Sequence, residues 1–355
     1  MYKKFFMGIA AMAALTLVSC SSDDLNSLSD NSSKNEAISF DGYLGRSAVA
    51  VNGSRGSVET KDQLKTDGFG VFGNYNSTGG QEFGSNWFNN VQVTYDASAW
   101  TYSPLKFWAT QGHIDFLAYA PYDSKYNDKV SKDNQKLEFI VNSDIEKQKD
   151  LLYANAVGQT KDKISSKGNK VKFQFNHALS KLGYQVKLSG DYSSNATFKL
   201  TKIILAGSPN GATKAFYTSG KIDLSKTNTA SDLWSDYATD RQNFDWFSGS
   251  STVTGTVLKH PDDNRAENED YLFVIPQKFK SGTDKLYVIV TYTITYTNDP
   301  TNTITNTVYK QLSNDFEPGK AYMINLTLGL PIEFDADVTE WGMDTPIDCP
   351  EPWDR

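Results

Sequence analysis

The chain has few cysteines, few histidines and no excess of positive charge, and each shortage excludes a class of protein. It holds 355 residues but only two cysteines, Cys20 and Cys349, so no framework of disulfide bonds can hold its fold together. Its three histidines lie far apart and do not form a cluster of metal ligands. The 42 acidic residues outnumber the 35 basic ones, and a net charge of -7 offers no basic stripe for nucleic acid.

Long hydrophobic runs are also scarce, and the clearest one lies at the start of the chain. Two lysines precede the apolar residues 5–18, a run of roughly fourteen residues where a membrane-spanning helix needs about twenty. A basic start, a short apolar core and small residues predict a secretory signal over residues 1–19. The segment ending in Ser19 and Cys20 resembles a bacterial lipobox, which predicts lipid on Cys20. An ordinary cleaved signal with an incidental cysteine is the alternative.

Lipid on Cys20 predicts where the protein resides. Acyl chains can anchor a protein without a transmembrane helix, because each buried methylene adds about 0.8 kcal/mol. Residues 21–24, Ser-Ser-Asp-Asp, resemble the signal that directs lipoproteins of Bacteroidetes to the outer face of the outer membrane. The polar, serine-rich residues 20–37 predict a flexible tether above that membrane. If Cys20 carries the lipid, Cys349 has no partner for a disulfide bond within the chain.

The remaining sequence is rich in aromatic residues and in alternating patterns. Its 20 Phe, 19 Tyr and 7 Trp suit a pleated, half-buried surface. The alternation is strongest in residues 286–297, where large apolar side chains line one face and threonines increasingly occupy the other, which predicts a long antiparallel strand. Helical periodicity is rare, and residues 231–247 are the main candidate for a short helix. The chain is therefore predicted to be all-β, built of β-sandwiches with few short helices.

Chain length and one polar stretch predict two domains. About 335 residues follow the predicted signal, and domains commonly hold roughly 100–200 residues each. Residues 160–169 are rich in Lys, Gly and Ser and lie between two groups of predicted strands. We therefore expect an N-terminal sandwich over residues 38–168 and a C-terminal sandwich with a tail over residues 169–355.

Motifs that could support catalysis do not combine into a site. Gly68, Gly70 and Gly73 have the spacing of a dinucleotide-binding G-x-G-x-x-G, but they interrupt a strand pattern and no helix follows. Close backbone packing in a strand is the expected reason for these glycines. His177 is expected to be a packed residue with one hydrogen bond, and the acidic residues 262–270 lack the ligand spacing of a calcium loop. We expect no enzyme activity and no cofactor.

Specific segments, in addition to periodicity, indicate a family. They include Ile-Asp-Phe-Leu-Ala-Tyr-Ala-Pro at 114–121, Phe-Glu-Pro-Gly-Lys-Ala-Tyr at 316–322, and residues 100–108, 148–154, 171–182 and 336–341. Together these segments resemble the fimbrillin family of Bacteroidetes over residues 38–341. The resemblance implies two consecutive transthyretin-like β-sandwich domains in a subunit of a type V pilus that serves adhesion.

The resemblance also implies a route of assembly. In relatives, an arginine-specific protease removes the lipidated leader with the first strand, and a strand from a neighbouring subunit fills the groove that opens. Arg46 and Arg55 are the candidate cleavage sites, and Arg55 is preferred because small residues flank it. The implied partners are other pilus subunits, the outer membrane through the lipid, and a host or bacterial surface receptor.

A donor strand near the C-terminus is expected in residues 330–340. The tail after residue 341 contains three prolines and is poor strand material, whereas Pro331 argues for an edge position. The candidate residues of this strand are Leu330, Ile332, Phe334, Ala336 and Val338.

The tryptophans leave a second function open. Exposed aromatic rings can bind sugars by stacking, and Trp87, Trp234 and Trp246 are candidates for such a platform. Tryptophans in a β-sandwich are more often part of the core. A surface-exposed glycan-binding lipoprotein is therefore the alternative to a pilus subunit, while a hydrolase has only isolated carboxylates and scattered histidines in its support.

Overall fold

The computed structural model describes residues 37–44, 59–77, 80–131, 133–227, 230–261, 271–330 and 334–340. For residues 77, 80–86, 334, 335, 339 and 340 it describes the backbone alone. Several sequence predictions lie outside the described residues: the signal, Cys20 and nearly all of the tether, Arg46, Arg55, the acidic residues 262–270, Ile332 and Cys349.

The first part of the chain forms one large sheet. Its elements in order are β1 (Phe40–Leu44), α1 (Lys61–Asp67), β2 (Phe69–Ser77), β3 (Gly80–Tyr95), β4 (Trp100–Thr101), β5 (His113–Ala120), β6 (Lys136–Ile140), β7 (Leu152–Gln159), α2 (Lys161–Ser165) and β8 (Val171–His177). Seven strands form a sheet in the order β1-β8-β7-β5-β2-β3-β4. Its neighbours are antiparallel except β1 and β8, which run parallel.

The described residues of the second part form two four-stranded sheets, two strand pairs and, together with β6, a three-stranded sheet. Its strands are β9 (Ser180–Leu188), β10 (Ala196–Ala206), β11 (Phe216–Tyr217), β12 (Ser219–Asp223), β13 (Trp234–Ser235), β14 (Arg241–Gln242), β15 (Phe244–Val253), β16 (Leu272–Val274), β17 (Gln277–Lys278), β18 (Leu286–Tyr296), β19 (Asp299–Leu312), β20 (Asp315–Phe316), β21 (Ala321–Leu328) and β22 (Phe334–Glu340). The sheets β15-β10-β18-β19 and β16-β9-β21-β22 bury alternate side chains in a common core.

The prediction of an all-β fold of β-sandwiches with few short helices is confirmed. In β18, Leu286, Val288 and Tyr292 are fully buried, while Thr291 on the other face forms a hydroxyl hydrogen bond with Thr307 at 3.1 Å. The short helix expected in residues 231–247 is wrong, because that stretch contains β13, β14 and the start of β15. Burial of the aromatic residues of this stretch in the core outweighed its weak local pattern.

The G-x-G-x-x-G spacing belongs to a strand, as the sequence predicted. Gly68 caps the C-terminus of α1 with a φ of 67°, and Gly70 and Gly73 lie in β2, where a Cβ on Gly70 would come within 2.3 Å of Tyr119 Cε1. A larger residue would therefore collide with a buried ring of the neighbouring strand β5. Gly70 and Gly73 thus serve close packing between strands, while Gly68 ends the preceding helix.

The two parts of the chain are joined by shared packing. β6 pairs with β12 in antiparallel register, so the first part contributes a strand to a sheet of the second. On the large sheet, Phe116 and Phe173 face one hydrophobic cluster, while Phe72, Leu117 and Tyr153 point the other way into the core of the second part. The centre of the large sheet is therefore buried on both faces.

The chain changes sheet later than the predicted boundary between residues 168 and 169. Residues 160–169 contain α2, in which Ile164 is buried and the Thr160 hydroxyl accepts a hydrogen bond from the Lys163 backbone at 3.1 Å. The next strand, β8, still belongs to the large sheet, and its inward side chains lie in the first core. The polar stretch is a capped surface helix, and the change of sheet follows His177.

A buried polar cluster connects α1 to β8. The Glu59 backbone N–H donates to Asp150 Oδ2 at 3.3 Å, and that same oxygen lies 2.5 Å from His177 Nδ1. Burial, together with the hydrogen bond and charge of Asp67, raises the pKa of Glu59 to about 9. Burial alone would lower the pKa of His177, but the Asp150 carboxylate raises it overall. His177 is thus a packed residue with a hydrogen-bond partner, as expected.

The raised pKa of Glu59 predicts a pH-dependent stability. Between about pH 4.5 and pH 9 the folded protein keeps a proton on Glu59 that the unfolded chain releases, so the free energy of unfolding should fall as pH rises. Glu59→Gln should remove this part of the slope and raise the melting temperature at pH 8 by a few degrees, with little change at pH 4. Glu138→Gln, at an exposed carboxylate, is the matched control. Equal slopes for wild type and Glu59→Gln would contradict the assignment.

Candidate functional site

The segment that contains β1 forms hydrogen bonds along both of its edges. β1 pairs with β8 along its whole length. Just before it, the Ile38 N–H donates to the Lys106 carbonyl at 2.8 Å, and Ala37 forms a β-bridge with Phe107. The Tyr102 hydroxyl donates to the Ile38 carbonyl at 2.7 Å. The segment that begins at residue 37 therefore fills the gap between β8 and the chain that follows β4.

The inward face of this segment fills the core. Ile38 and Phe40 are each only 1% exposed, and Leu44 packs against the same cluster. The ring of Phe40 has its centroid 5.4–5.6 Å from the centroids of four aromatic rings, a distance at which such rings attract one another. These four rings, which we call the Phe40 cage, belong to Phe88, Tyr102, Phe116 and Phe173.

One inward position of β1 accepts only a small residue. A Cβ on Gly42 would lie 3.1 Å from a ring carbon of Phe69 and 3.3 Å from one of Phe175. The inward pattern is thus large at Ile38 and Phe40, minimal at Gly42 and large again at Leu44.

Loss of β1 would leave an unstable surface. The Phe40 cage and the rings beside Gly42 would face water, and burial of a single Phe side chain is already worth about 1.5–3 kcal/mol. The backbone groups of β8 that pair with β1 would also lose their partners. An uncovered edge of this kind is a template for another extended segment, which supplies both the hydrogen bonds and the apolar side chains.

The predicted site residues lie at different places in the sequence and the fold. Arg46 and Arg55 fall between Leu44 and Glu59 in the sequence, outside the described residues. The predicted donor residues Ala336 and Val338 are buried in β22, the outer strand of its sheet, where β22 pairs with β21. The backbone of Phe334 begins β22, and Leu330 is half-buried. Within one chain the candidate donor strand therefore lies in the second part and does not pair with β8.

One informative signal in the sequence becomes visible only when the inward residues of β1 are known. Residues 38–44 read Ile-Ser-Phe-Asp-Gly-Tyr-Leu, and residues 332–338 read Ile-Glu-Phe-Asp-Ala-Asp-Val. Ile, Phe and Asp recur at identical spacing, Ala336 replaces Gly42, and Val338 replaces Leu44. The segment near the C-terminus thus repeats the inward pattern of β1 at every position.

The tryptophans considered for the alternative of a sugar platform do not form one. Trp234 is 5% exposed and Trp246 is 2% exposed, so their faces are occupied by the core. Trp87 is half-buried and stacks on Tyr75 with ring centroids 4.9 Å apart.

Clusters of metal ligands and membrane-spanning helices are absent from the described residues. They contain no group of three or more His, Cys, Asp or Glu side chains that could hold a metal ion. In the same residues no helix is both long and apolar enough to cross a membrane.

Comparison with known proteins identifies the family. The model of the fimbrillin-like family matches residues 57–341. This chain belongs to the fimbrillin-like family. Among solved structures, a fimbrial protein from Bacteroides vulgatus is 20% identical with a TM-score of 0.61, covering 86% of this chain and 99% of that chain. No curated protein matches the sequence.

Two further solved structures have lower identities and lower TM-scores. A candidate cell adhesion protein from Bacteroides ovatus is 16% identical, with 88% of this chain and 99% of that chain covered and a TM-score of 0.46. The tip fimbrial protein Mfa3 from Porphyromonas gingivalis, with a C-terminal truncation, is 11% identical, with 77% and 93% covered and a TM-score of 0.33. Of these three, the protein from Bacteroides vulgatus alone has a TM-score above 0.5 and shows a shared fold.

The Phe40 cage predicts that alanine substitutions at two positions of β1, Phe40 and Tyr43, change the free energy of unfolding by very different amounts. Phe40→Ala should lower the free energy of unfolding by about 3–5 kcal/mol, because it leaves a cavity among four rings. Tyr43→Ala, at a side chain that is 42% exposed on the same strand, should change it by about 0.5 kcal/mol or less. Urea unfolding of the two variants measures both values. Similar losses at the two positions would contradict a core role for β1.

Proposed function

We propose that this protein is a structural or tip subunit of a cell-surface type V pilus, assembled by donor-strand exchange and serving adhesion. Membership of the fimbrillin-like family supports the role of a fimbrial subunit. The observation that carries the finer proposal is the position of β1, a short strand near the N-terminus that fills the core of a sandwich built by later residues.

The acceptor groove in this proposal is the space that β1 occupies. Cleavage after Arg46 or Arg55 separates residues 38–44 from the rest of the chain, because both arginines follow β1 in the sequence. The separated strand is then held only by non-covalent contacts, namely side-chain packing, pairing with β8 and the hydrogen bonds of Ile38 with Lys106 and Tyr102. A strand from a neighbouring subunit takes its place and restores the same hydrogen bonds and the same buried surface.

The donor in this proposal is the segment from Leu330 to Val338 of a second copy. Its repeated pattern supports a residue-by-residue replacement, in which Phe334 enters the Phe40 cage and Ala336 takes the position of Gly42. The extra methyl group of Ala336 meets ring carbons of Phe69 and Phe175 that lie 3.1 and 3.3 Å from that position, so the rings move by a few tenths of an ångström. To act as a donor, β22 leaves β21, and its buried Ala336 and Val338 exchange one apolar environment for another.

The lipid on Cys20 has a temporary role in this proposal. Residues 1–19 direct export, and Cys20 anchors the precursor to the outer membrane through residues 20–37. Because Cys20 precedes both Arg46 and Arg55, cleavage removes the lipid together with β1. The subunit then moves from the membrane to the fimbrium, where it contacts other subunits and a host or bacterial surface receptor. The protein performs no chemistry of its own in this role.

Controlled cleavage tests the assembly. Treatment of the purified chain with an arginine-specific protease under native conditions should remove the leader and convert monomers into a ladder of polymers. Size-exclusion chromatography and electron microscopy measure the polymers, and intact mass gives the new N-terminus. The double variant Arg46→Gln/Arg55→Gln should stay uncut and monomeric. Cleaved wild-type protein that remains monomeric at high concentration would refute a stalk role.

The donor segment has a test of its own. In the cleaved protein, Phe334→Ala should abolish the polymers, because the Phe40 cage would then receive a methyl group in place of a ring. Asp335→Ala, at the adjacent position of the opposite parity, is the matched control and should polymerise like the wild type. Polymerisation of the Phe334→Ala variant at the wild-type rate would show that another segment is the donor.

A further inference from the structure

A cavity of about 780 Å³ lies in the second part of the chain, away from the strands proposed to exchange. Its lining residues come from β11, β13, β17, β20 and the loops beside them, and none belongs to β1 or β22. The volume falls within the range of about 300–1,000 Å³ that is typical of sites for small ligands.

One wall of the cavity is a fixed stack of aromatic rings. The rings of Tyr217 and Tyr237 lie 4.3 Å apart at an angle of 18°, and the Arg241 guanidinium lies 3.6 Å from the Tyr217 centroid. The Tyr237 hydroxyl donates to the Trp234 carbonyl at 3.2 Å, while Trp234 Nε1 donates to the Ala178 carbonyl at 2.9 Å. Tyr237 nevertheless remains 38% exposed. The wall therefore combines rings whose positions are fixed with aromatic surface that is still open.

The polar part of the wall is held just as firmly. Gln277, which is 5% exposed, donates from Nε2 to the Ala215 carbonyl at 3.0 Å and to Asp284 Oδ2 at 2.9 Å. Arg241 donates to the same two acceptors, at 2.8 and 3.1 Å. The remaining oxygen of Gln277, Oε1, is buried and has no hydrogen-bond donor. Because that oxygen is fully buried, a ligand in the cavity does not reach it. The acceptors that the wall offers are the carboxylates of Asp284 and Asp315, and these favour a ligand that brings hydroxyl or amide protons.

The charges around the cavity favour a neutral ligand. Asp284 is paired with Arg241 at 3.1 Å. Asp315 accepts hydrogen bonds from the Lys280 and Ser281 backbones and from the Ser281 hydroxyl, at 2.9, 3.2 and 2.7 Å. Glu317 is the third acidic residue that lines the cavity. Lys278 and Lys320 also line it and offset the negative charge of Glu317. The carboxylates are thus organised hydrogen-bond acceptors with their charge largely compensated.

We propose that this cavity binds a neutral sugar unit of a glycan. The apolar C–H face of a sugar ring packs on aromatic surface, and its hydroxyl groups donate to acceptors such as Asp284, which Gln277 holds in place, and Asp315. This inference goes beyond the proposed function, because polymerisation by strand exchange does not use the cavity. A pilus built from such subunits would carry one sugar site per copy.

Sugar binding is tested on the full, uncleaved chain. The probes are the methyl glycosides of glucose, galactose, mannose, fucose and N-acetylglucosamine, added singly at millimolar concentration. Saturation-transfer NMR should detect binding of at least one, and calorimetry should give its Kd. Tyr237→Ala and Gln277→Leu should each weaken that Kd by about tenfold or more, equivalent to about 1.4 kcal/mol. Tyr309→Ala, at a tyrosine that is 43% exposed outside the cavity, should leave it unchanged.

Three results would overturn the inference. They are failure of every probe to bind, binding that both cavity variants leave unchanged, and binding of an oligolysine peptide at this cavity when no sugar binds. Melting temperatures establish that the variants fold. If Gln277→Leu does not fold, the Kd of the Tyr237→Ala variant decides whether the sugar binds in the cavity. Because the uncleaved monomer is used, failure to polymerise after cleavage leaves this result unaffected, and the absence of sugar binding leaves strand exchange unaffected.

Discussion

The insertion of Phe40 among four aromatic rings is the contact on which the N-terminal sandwich depends. These rings come from β3, β5, β8 and the chain after β4, so the cage is assembled by distant parts of the sequence. The residue that completes it lies near the start of the chain, in a strand of five residues. The core is thus finished by an element with few covalent ties to the rest of the fold.

The parallel pairing of β1 with β8 joins two strands that are far apart in the sequence. Parallel neighbours cannot be joined by a tight hairpin, and here a long stretch of sequence lies between them. A terminal strand of this kind can be replaced by an equivalent strand of another copy, because the contacts are the same in both cases. The repeated inward pattern at residues 332–338 supplies a candidate for that equivalence within the same chain.

The two parts of the chain together support the sheet that contains β1. β6 crosses into a sheet of the second part, and the outer face of the large sheet shares a core with it. The polar cluster of Glu59, Asp150 and His177 fixes the chain where its described part resumes after residues 45–58. The cavity around Gln277 and Tyr237 lies in the second part, and no residue of β1 lines it.

The sequence by itself determined the fold class, the family resemblance and the long strand of residues 286–296, because period-two alternation and recurring motifs are local signals. It also singled out residues 330–338 as a strand with alternating apolar positions. Only the tertiary structure decided that β8 belongs to the first sheet, that residues 231–247 form strands, and that Phe40 and Gly42 face a cage of rings. Those outcomes depend on which distant side chains share a core, and that information is absent from any short window of sequence. The likeness of residues 38–44 to 332–338 was present in the sequence throughout, but it gained meaning only once the structure defined the inward face of β1.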